Sequence, residues 1–102
     1  MAFVTVARLA DLIPGKGICV EAGGKKLAVF LSDGKCFAID EFCTHRQAPL
    51  HEGYCLGAEV QCPWHATRFD LATGEHRSPP AKKGVMAYKT QIVDGQVQVE
   101  IG

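Results

Sequence analysis

Two short pairs of metal-binding residue types stand out in this 102-residue sequence, Cys43-Thr44-His45 and Cys62-Pro63-Trp64-His65. Each pair offers one thiolate and one imidazole, and 16 residues separate His45 from Cys62. This balance suits an asymmetric two-iron cluster in which two cysteines bind one iron and two histidines bind the other. The pattern therefore indicates a carrier of electrons rather than an enzyme that acts alone.

A zinc site is the first alternative, because two cysteines and two histidines also form tetrahedral structural sites. Zinc modules usually place like ligands together, as C-x2-4-C and H-x3-5-H, whereas each pair here mixes the two residue types. The spacing argues against an ordinary zinc finger. A zinc-stabilised interaction module nevertheless stays open as an alternative function.

A cysteine nucleophile activated by a histidine is the second alternative. The sequence marks no third orienting residue and no oxyanion hole for such a reaction. Two near-equivalent Cys/His pairs would also be redundant for that chemistry. We therefore predict no catalytic residues.

The wider motif resembles that of the Rieske [2Fe–2S] proteins, in particular the small Rieske ferredoxins of bacterial aromatic-ring dioxygenase systems. Beyond the two ligand pairs, the matching residues are Leu50, Gly53, Phe69-Asp70, Thr73-Gly74 and Pro80-Ala81. The resemblance implies one [2Fe–2S] cluster per chain. It also implies that Cys43 and Cys62 bind one iron while His45 and His65 bind the other, so that each loop supplies one ligand to each iron.

The same resemblance implies a one-electron carrier between a flavin-dependent NAD(P)H reductase and a terminal Rieske oxygenase. The chain is not expected to be an oxygenase itself, because such enzymes need a second domain with a mononuclear iron site. Only His51 and His76 remain beyond the predicted ligands. A mobile carrier of this kind is expected to be a monomer. The small Rieske-like subunit of a nitrite-reductase-type complex stays open as an alternative.

Departures from the respiratory branch of the family imply a low reduction potential. Members in cytochrome complexes carry an extra cysteine in each cluster loop, and a serine and a tyrosine that donate hydrogen bonds to sulfur. The corresponding residues here are Ala48, Trp64, Thr67 and Phe69. Because phenylalanine cannot donate a hydrogen bond, the reduced cluster is stabilised less.

The hydrophobic pattern predicts an all-β fold, which the resemblance makes a Rieske iron–sulfur fold: an antiparallel β sandwich or barrel with a small inserted cluster-binding subdomain. Predicted strands cover residues 3–7, 17–22, 25–31 and 35–39. Residues 27–31 are apolar on both faces, as in a strand that is covered on both sides. Residues 7–13 suit a single helical turn.

The C-terminal part shows the clearest alternation. Its pattern places four residues on one face (Met86, Tyr88, Thr90 and Ile92) and, after a turn at Asp94-Gly95, three more on one face (Val97, Val99 and Ile101). We therefore predict a C-terminal hairpin.

The stretch from residue 42 to about residue 80 interrupts the β pattern and holds all four histidines and the one tryptophan. We predict one Rieske domain over residues 1–102, with this stretch as the cluster-binding subdomain. Arg46, Gln47 and His51 flank the first pair as solvated loop residues or as contacts with a partner protein.

The composition excludes several functions. Eleven Lys and Arg residues balance eleven Asp and Glu residues, so nothing resembles the basic footprint of a nucleic-acid-binding protein. The N-terminus lacks the features of a signal peptide, and no apolar run is long enough to cross a bilayer. We expect a cytoplasmic protein without membrane or nucleic-acid partners.

Three cysteines remain beyond the two predicted ligands, and in a reducing cytosol they are expected to be thiols. The apolar neighbours of Cys19 and Cys36 favour small, buried core residues. Cys55 lies between the two pairs, where it is either a packed loop residue or an exposed thiol.

Overall fold

The computed structural model describes residues 2–32, 34–42, 49–63, 67–75 and 84–101. Within them the strands are β1 Ala2–Arg8, β2 Gly17–Ala22, β3 Lys25–Ser32, β4 Lys35–Asp40, β5 Tyr54–Leu56, β6 Glu59–Gln61, β7 Arg68–Asp70, β8 Ala87–Tyr88, β9 Thr90–Val93 and β10 Gln96–Ile101. Two single turns of 3-10 helix, η1 Leu9–Asp11 and η2 Leu50–Glu52, complete these elements.

The strands of the described residues pair in three antiparallel sheets. Their orders are β1-β10-β9, β2-β3-β4-β8 and β5-β6-β7. The all-β, antiparallel prediction is thus confirmed. The four predicted N-terminal strands match β1 to β4 within one residue at each end, and the predicted helical turn is η1.

Strand β3 is buried on both faces because two apolar cores share it. Alternate β3 residues, Leu27, Val29 and Leu31, lie in the first core with Val97 and Val99 of β10. The intervening β3 residues face the third sheet in the second core: Ala28 and Phe30, with Val60 of β6 and Phe69 of β7. Successive strand residues point to opposite faces. Residues 27–31 are therefore apolar on both faces because both faces are covered, as predicted.

The common face predicted for Met86, Tyr88, Thr90 and Ile92 was wrong. The ladder is interrupted at Lys89, so β8 pairs with β4 in one sheet and β9 pairs with β10 in another. Met86 is 61% exposed and Ile92 is 41% exposed. Alternation reports the extended conformation, but it does not show that the chain moves from one sheet to another. The burial of Val97 and Val99 on one face of β10 agrees with the prediction.

Asp40, at the end of β4, fastens the C-terminal part of the chain to this strand. Its Oδ1 accepts a hydrogen bond from the Tyr88 hydroxyl at 2.7 Å, and its Oδ2 accepts one from the Met86 N–H at 3.1 Å. Burial, followed by the bond to Asp40, raises the pKa of Tyr88 to about 12. These two hydrogen bonds therefore tie the end of β4, the strand that precedes the first Cys/His pair, to the C-terminal part of the chain.

The Phe69-Asp70 and Thr73-Gly74 motif forms a closed turn after β7. Asp70 Oδ1 accepts hydrogen bonds from the N–H groups of Ala72 and Thr73 at 2.8 and 3.0 Å. Gly74 follows with φ of +79°, and a Cβ built on it would lie 1.9 Å from the Val85 carbonyl oxygen. Only glycine satisfies both the left-handed backbone and the close approach.

Gly74→Ala is expected to lower the free energy of unfolding more than Gly24→Ala. Gly24 has a nearly identical φ of +78° but nothing within 4 Å of its built Cβ. Backbone strain alone should cost Gly24→Ala about 1–2 kcal/mol, whereas Gly74→Ala adds an overlap that costs a further 1–3 kcal/mol or so. Denaturant titration of the two purified variants measures the difference. Equal midpoints would contradict the close approach.

Candidate metal centre

Cys62 is the one predicted ligand among the described residues; Cys43, His45 and His65 lie outside them. Cys62 directly follows β6, is only 1% exposed, and packs in the second core with Val60 and Phe69. A thiol in this place is rigidly held by its surroundings. Ala48 and Trp64 also lie outside the described residues.

The residues on either side of the first predicted ligand pair are paired with each other. Phe42 forms an antiparallel bridge with Pro49, and the Leu50 N–H donates to the Glu41 carbonyl at 2.7 Å. We call residues 41–42 and 49–51 the first neck. The bridge brings together the two described residues that flank positions 43–48.

The second ligand pair begins at a similar closure. The Cys62 N–H donates to the Thr67 carbonyl at 2.8 Å, directly after the pairing of Gln61 in β6 with Arg68 in β7. We call residues 61–62 and 67–68 the second neck. Both Cys62 and Thr67 are buried, so this neck is set into the second core.

Gly53 holds the two necks against each other. A Cβ built on this residue would lie 2.3 Å from the Gln61 carbonyl oxygen and 3.1 Å from the Leu50 carbonyl oxygen. Leu50 itself is fully buried in the second core together with Cys62. The chain after the first neck therefore lies directly on the backbone that leads into the second.

A hydrogen-bonded pair of side chains braces the first neck, and the sequence analysis did not find it. Glu41 is only 3% exposed; its Oε1 accepts a hydrogen bond from the His51 N–H at 3.0 Å, and its Oε2 contacts His51 Nδ1. His51 is therefore not a fully solvated loop residue, and its contact with a partner protein stays a prediction. A signal was present, because alternation along β4 puts Glu41 on the same face as the buried Ile39, where a carboxylate needs a partner.

The other thiols differ from the prediction in one case. Cys36 is buried as expected, and burial raises the pKa of its thiol. Cys19 is exposed, so its prediction as a buried core residue was wrong. Its neighbours Ile18 and Val20 pack against the first core, and alternation turns Cys19 to the opposite face. Cys55 is partly buried.

Comparison with known proteins shows the family. A model of the Rieske [2Fe-2S] domain matches residues 2–89. The chain belongs to the Rieske [2Fe–2S] domain family. It is 31% identical to the ferredoxin component of a naphthalene 1,2-dioxygenase system from Pseudomonas putida, over 97% of this chain and 95% of that protein.

Solved structures agree with this Rieske assignment. The ferredoxin of carbazole 1,9a-dioxygenase from Nocardioides aromaticivorans IC177 superimposes with a TM-score of 0.94 and 29% identity, over the full length of both chains. A chain from a complex of reduced oxygenase and oxidized ferredoxin in carbazole 1,9a-dioxygenase has a TM-score of 0.88 and 30% identity, and the match covers 95% of this chain and all of that one.

The nitrite-reductase alternative has a structural neighbour too. A protein from Mycobacterium tuberculosis described as an NADH-dependent nitrite reductase small subunit has a TM-score of 0.90 at 24% identity, over 99% of this chain and 96% of that one. That likeness shows the shared Rieske fold. No described helix is long and apolar enough to cross a membrane.

The donor set and the described geometry fit the Rieske [2Fe–2S] cluster of this family. Two thiols and two imidazoles would give each iron two protein ligands. Cys62 lies at a paired neck in an apolar core, and the first neck ends at Phe42, the residue before Cys43. Paired necks limit the conformations that each loop can adopt, so less entropy is lost when the ligands bind iron.

Gly53→Ala is expected to weaken cluster retention. The residue has an ordinary φ of −75°, so the effect comes from the overlap with the Gln61 carbonyl and not from backbone strain. Overpacking of this kind costs about 1–3 kcal/mol, and we expect iron to be lost faster to a chelator. The measurement is the decay of the visible absorption of the holoprotein.

Gly57→Ala is the matched control, because it lies in the β5–β6 turn with open space around its built Cβ. The control changes backbone strain only. Iron loss at the same rate in both variants would show that the contact between the necks does not hold the metal centre.

Proposed function

We propose that this chain carries single electrons from a flavin-dependent NAD(P)H reductase to a terminal Rieske oxygenase. Its similarity to a dioxygenase ferredoxin component over nearly the whole of both chains carries this proposal. The related ferredoxin that was solved in complex with its oxygenase supports delivery of the electron to an oxygenase. The carrier acts in the cytoplasm as a monomer, which suits movement between two partners.

Four residues hold the cluster in this proposal: Cys43 and Cys62 on one iron, His45 and His65 on the other. A bound cluster of this type supplies a centre that accepts and releases one electron. The burial of Cys62 and the paired neck beside Cys43 support the assignment. Leu50 and Phe69, both fully buried next to the necks, exclude water from the side of the centre that faces the core.

The low potential in this proposal follows from Phe69, which comes directly after the second neck. Phe69 is fully buried in the second core, where it offers no hydroxyl to a sulfur. With fewer hydrogen bonds to its sulfur atoms, the added negative charge of the reduced cluster is stabilised less. The reduction potential therefore falls. An oxygenase partner of comparable potential can then accept the electron.

The partner contacts the ligand-loop end of the protein. Phe42 precedes Cys43 in the chain, and its side chain is 43% exposed at the first neck. An aromatic side chain exposed at this place offers apolar contact area close to the electron-transfer centre. Such a position shortens the path from the ligands to the partner.

Reconstitution tests this function. The holoprotein is combined with the reductase and terminal oxygenase of a carbazole 1,9a-dioxygenase system, and NADH-driven product formation is measured. We expect product formation to depend on this chain. Cys62→Ser should reduce it to the level without ferredoxin, because one iron loses a thiolate ligand.

Cys36→Ser is the control, since Cys36 is a buried thiol in the other core. This variant should retain its iron and its activity. The proposal is contradicted if Cys62→Ser keeps the wild-type spectrum, or if the loaded protein fails to reduce the oxygenase in a rapid-mixing experiment. The nitrite-reductase alternative predicts this second outcome.

A further inference from the structure

Three potential metal ligands meet on the outer side of the first neck. The side-chain ligand atoms of Cys19, Glu41 and His51 all lie within 4.8 Å of one another. They come from three separate elements, namely β2, the end of β4 and η2. None of them belongs to the four residues proposed to bind the iron–sulfur cluster.

The buried carboxylate is already oriented for this role. Glu41 Oε1 is held by the hydrogen bond from the His51 N–H at 3.0 Å, which leaves Oε2 beside His51 Nδ1. The Cys19 sulfur lies within 4.8 Å of the ligand atoms of Glu41 and His51. In metal sites a hydrogen bond to the carboxylate, such as the one from the His51 N–H to Oε1, orients the ligand and preserves affinity.

Backbone contacts fix the three elements relative to one another. The Glu41 N–H donates to the Lys26 carbonyl at 3.2 Å, and the Leu50 N–H donates to the Glu41 carbonyl at 2.7 Å. Cys19 lies opposite Ala28 in the β2–β3 ladder. Ligands supported by such a frame lose little freedom when a metal binds.

The charges of the three groups suit a divalent, thiol-binding cation. One thiolate and one carboxylate neutralise a divalent ion, and a neutral imidazole completes the set. Sulfur, nitrogen and oxygen ligands together are typical of zinc with three protein ligands and one open position. Solvent reaches the group, because Cys19 is exposed and His51 lines a groove of about 540 Å³.

We propose that Cys19, Glu41 and His51 form a binding site for one zinc ion per chain, with water in the fourth position. The bound ion ties β2 to the first neck. It replaces the proton of the Cys19 thiol. This site does not depend on the electron-carrier function, and each can fail without the other.

Partial desolvation, then the hydrogen bond to Glu41, raises the pKa of the Cys19 thiol. The ion must therefore displace a proton from this sulfur, since the thiolate is the metal ligand. Zinc binding should release protons to the buffer. The calorimetric heat of binding consequently varies with the ionisation enthalpy of the buffer.

Zinc sulfate titrated into the iron-loaded holoprotein tests the site. We expect one saturable zinc per chain in a calorimetric titration, with the iron content unchanged. Zinc-edge X-ray absorption of the same sample should show one sulfur and two or more nitrogen or oxygen neighbours. This readout is specific for zinc and is not obscured by the iron centre.

Cys19→Ser is the decisive variant, because Cys19 is exposed and its replacement leaves the Glu41–His51 pair in place. Loss of an outer-shell partner alone costs about 10–100-fold in metal affinity, so loss of this ligand should weaken zinc binding by at least about 100-fold. Cys36→Ser should bind zinc like the wild type. An unchanged iron content in both variants shows that they fold.

Three results would overturn the proposal. The first is the absence of saturable zinc binding to the wild-type holoprotein. The second is wild-type affinity in Cys19→Ser. The third is zinc uptake accompanied by a stoichiometric loss of iron, which would place zinc in the iron–sulfur loops instead.

Discussion

The close approach of Gly53 to the Gln61 carbonyl is the contact that joins the two necks of the proposed metal centre. In the proposed ligation each iron takes one ligand from each pair, so the two chain segments must start from fixed points. Two backbones can lie this near only where one residue has no side chain, as the 2.3 Å separation of a built Cβ shows. The glycine therefore sets how close the two necks lie.

The second core gives this contact its rigidity. Leu50 belongs to the first neck, Cys62 belongs to the second, and both are buried with Phe30 of β3. Strand β3 also contributes to the first core. The two necks are therefore connected to both cores through one strand that is buried on both faces. Truncation of a buried phenylalanine typically costs about 3–5 kcal/mol in the free energy of unfolding. Because Phe30 shares its core with Leu50 and Cys62, it stabilises the two necks together with the fold.

Patterns within one segment were predictable from the sequence, and contacts between segments were not. The strands β1 to β4 and the covered run of β3 followed from alternation and glycine turns. The strands β5, β6 and β7 have three residues each, too few for periodicity to reveal them. Cys19 was misplaced because an apolar neighbourhood does not tell which face of a strand a residue occupies. The Glu41–His51 pair joins residues ten positions apart, so only the tertiary fold shows that the carboxylate has a partner.

An EPR-monitored redox titration of the purified holoprotein tests the central claim most directly. Mixed cysteine and histidine ligation, with phenylalanine at residue 69 in place of a hydroxyl donor to sulfur, places the midpoint near the low end of the Rieske range, roughly −150 mV. A midpoint near about −400 mV would indicate cysteine ligands alone and would contradict the role of the histidines. A midpoint above roughly +100 mV would place the centre in the high-potential part of the range and would contradict the argument from Phe69.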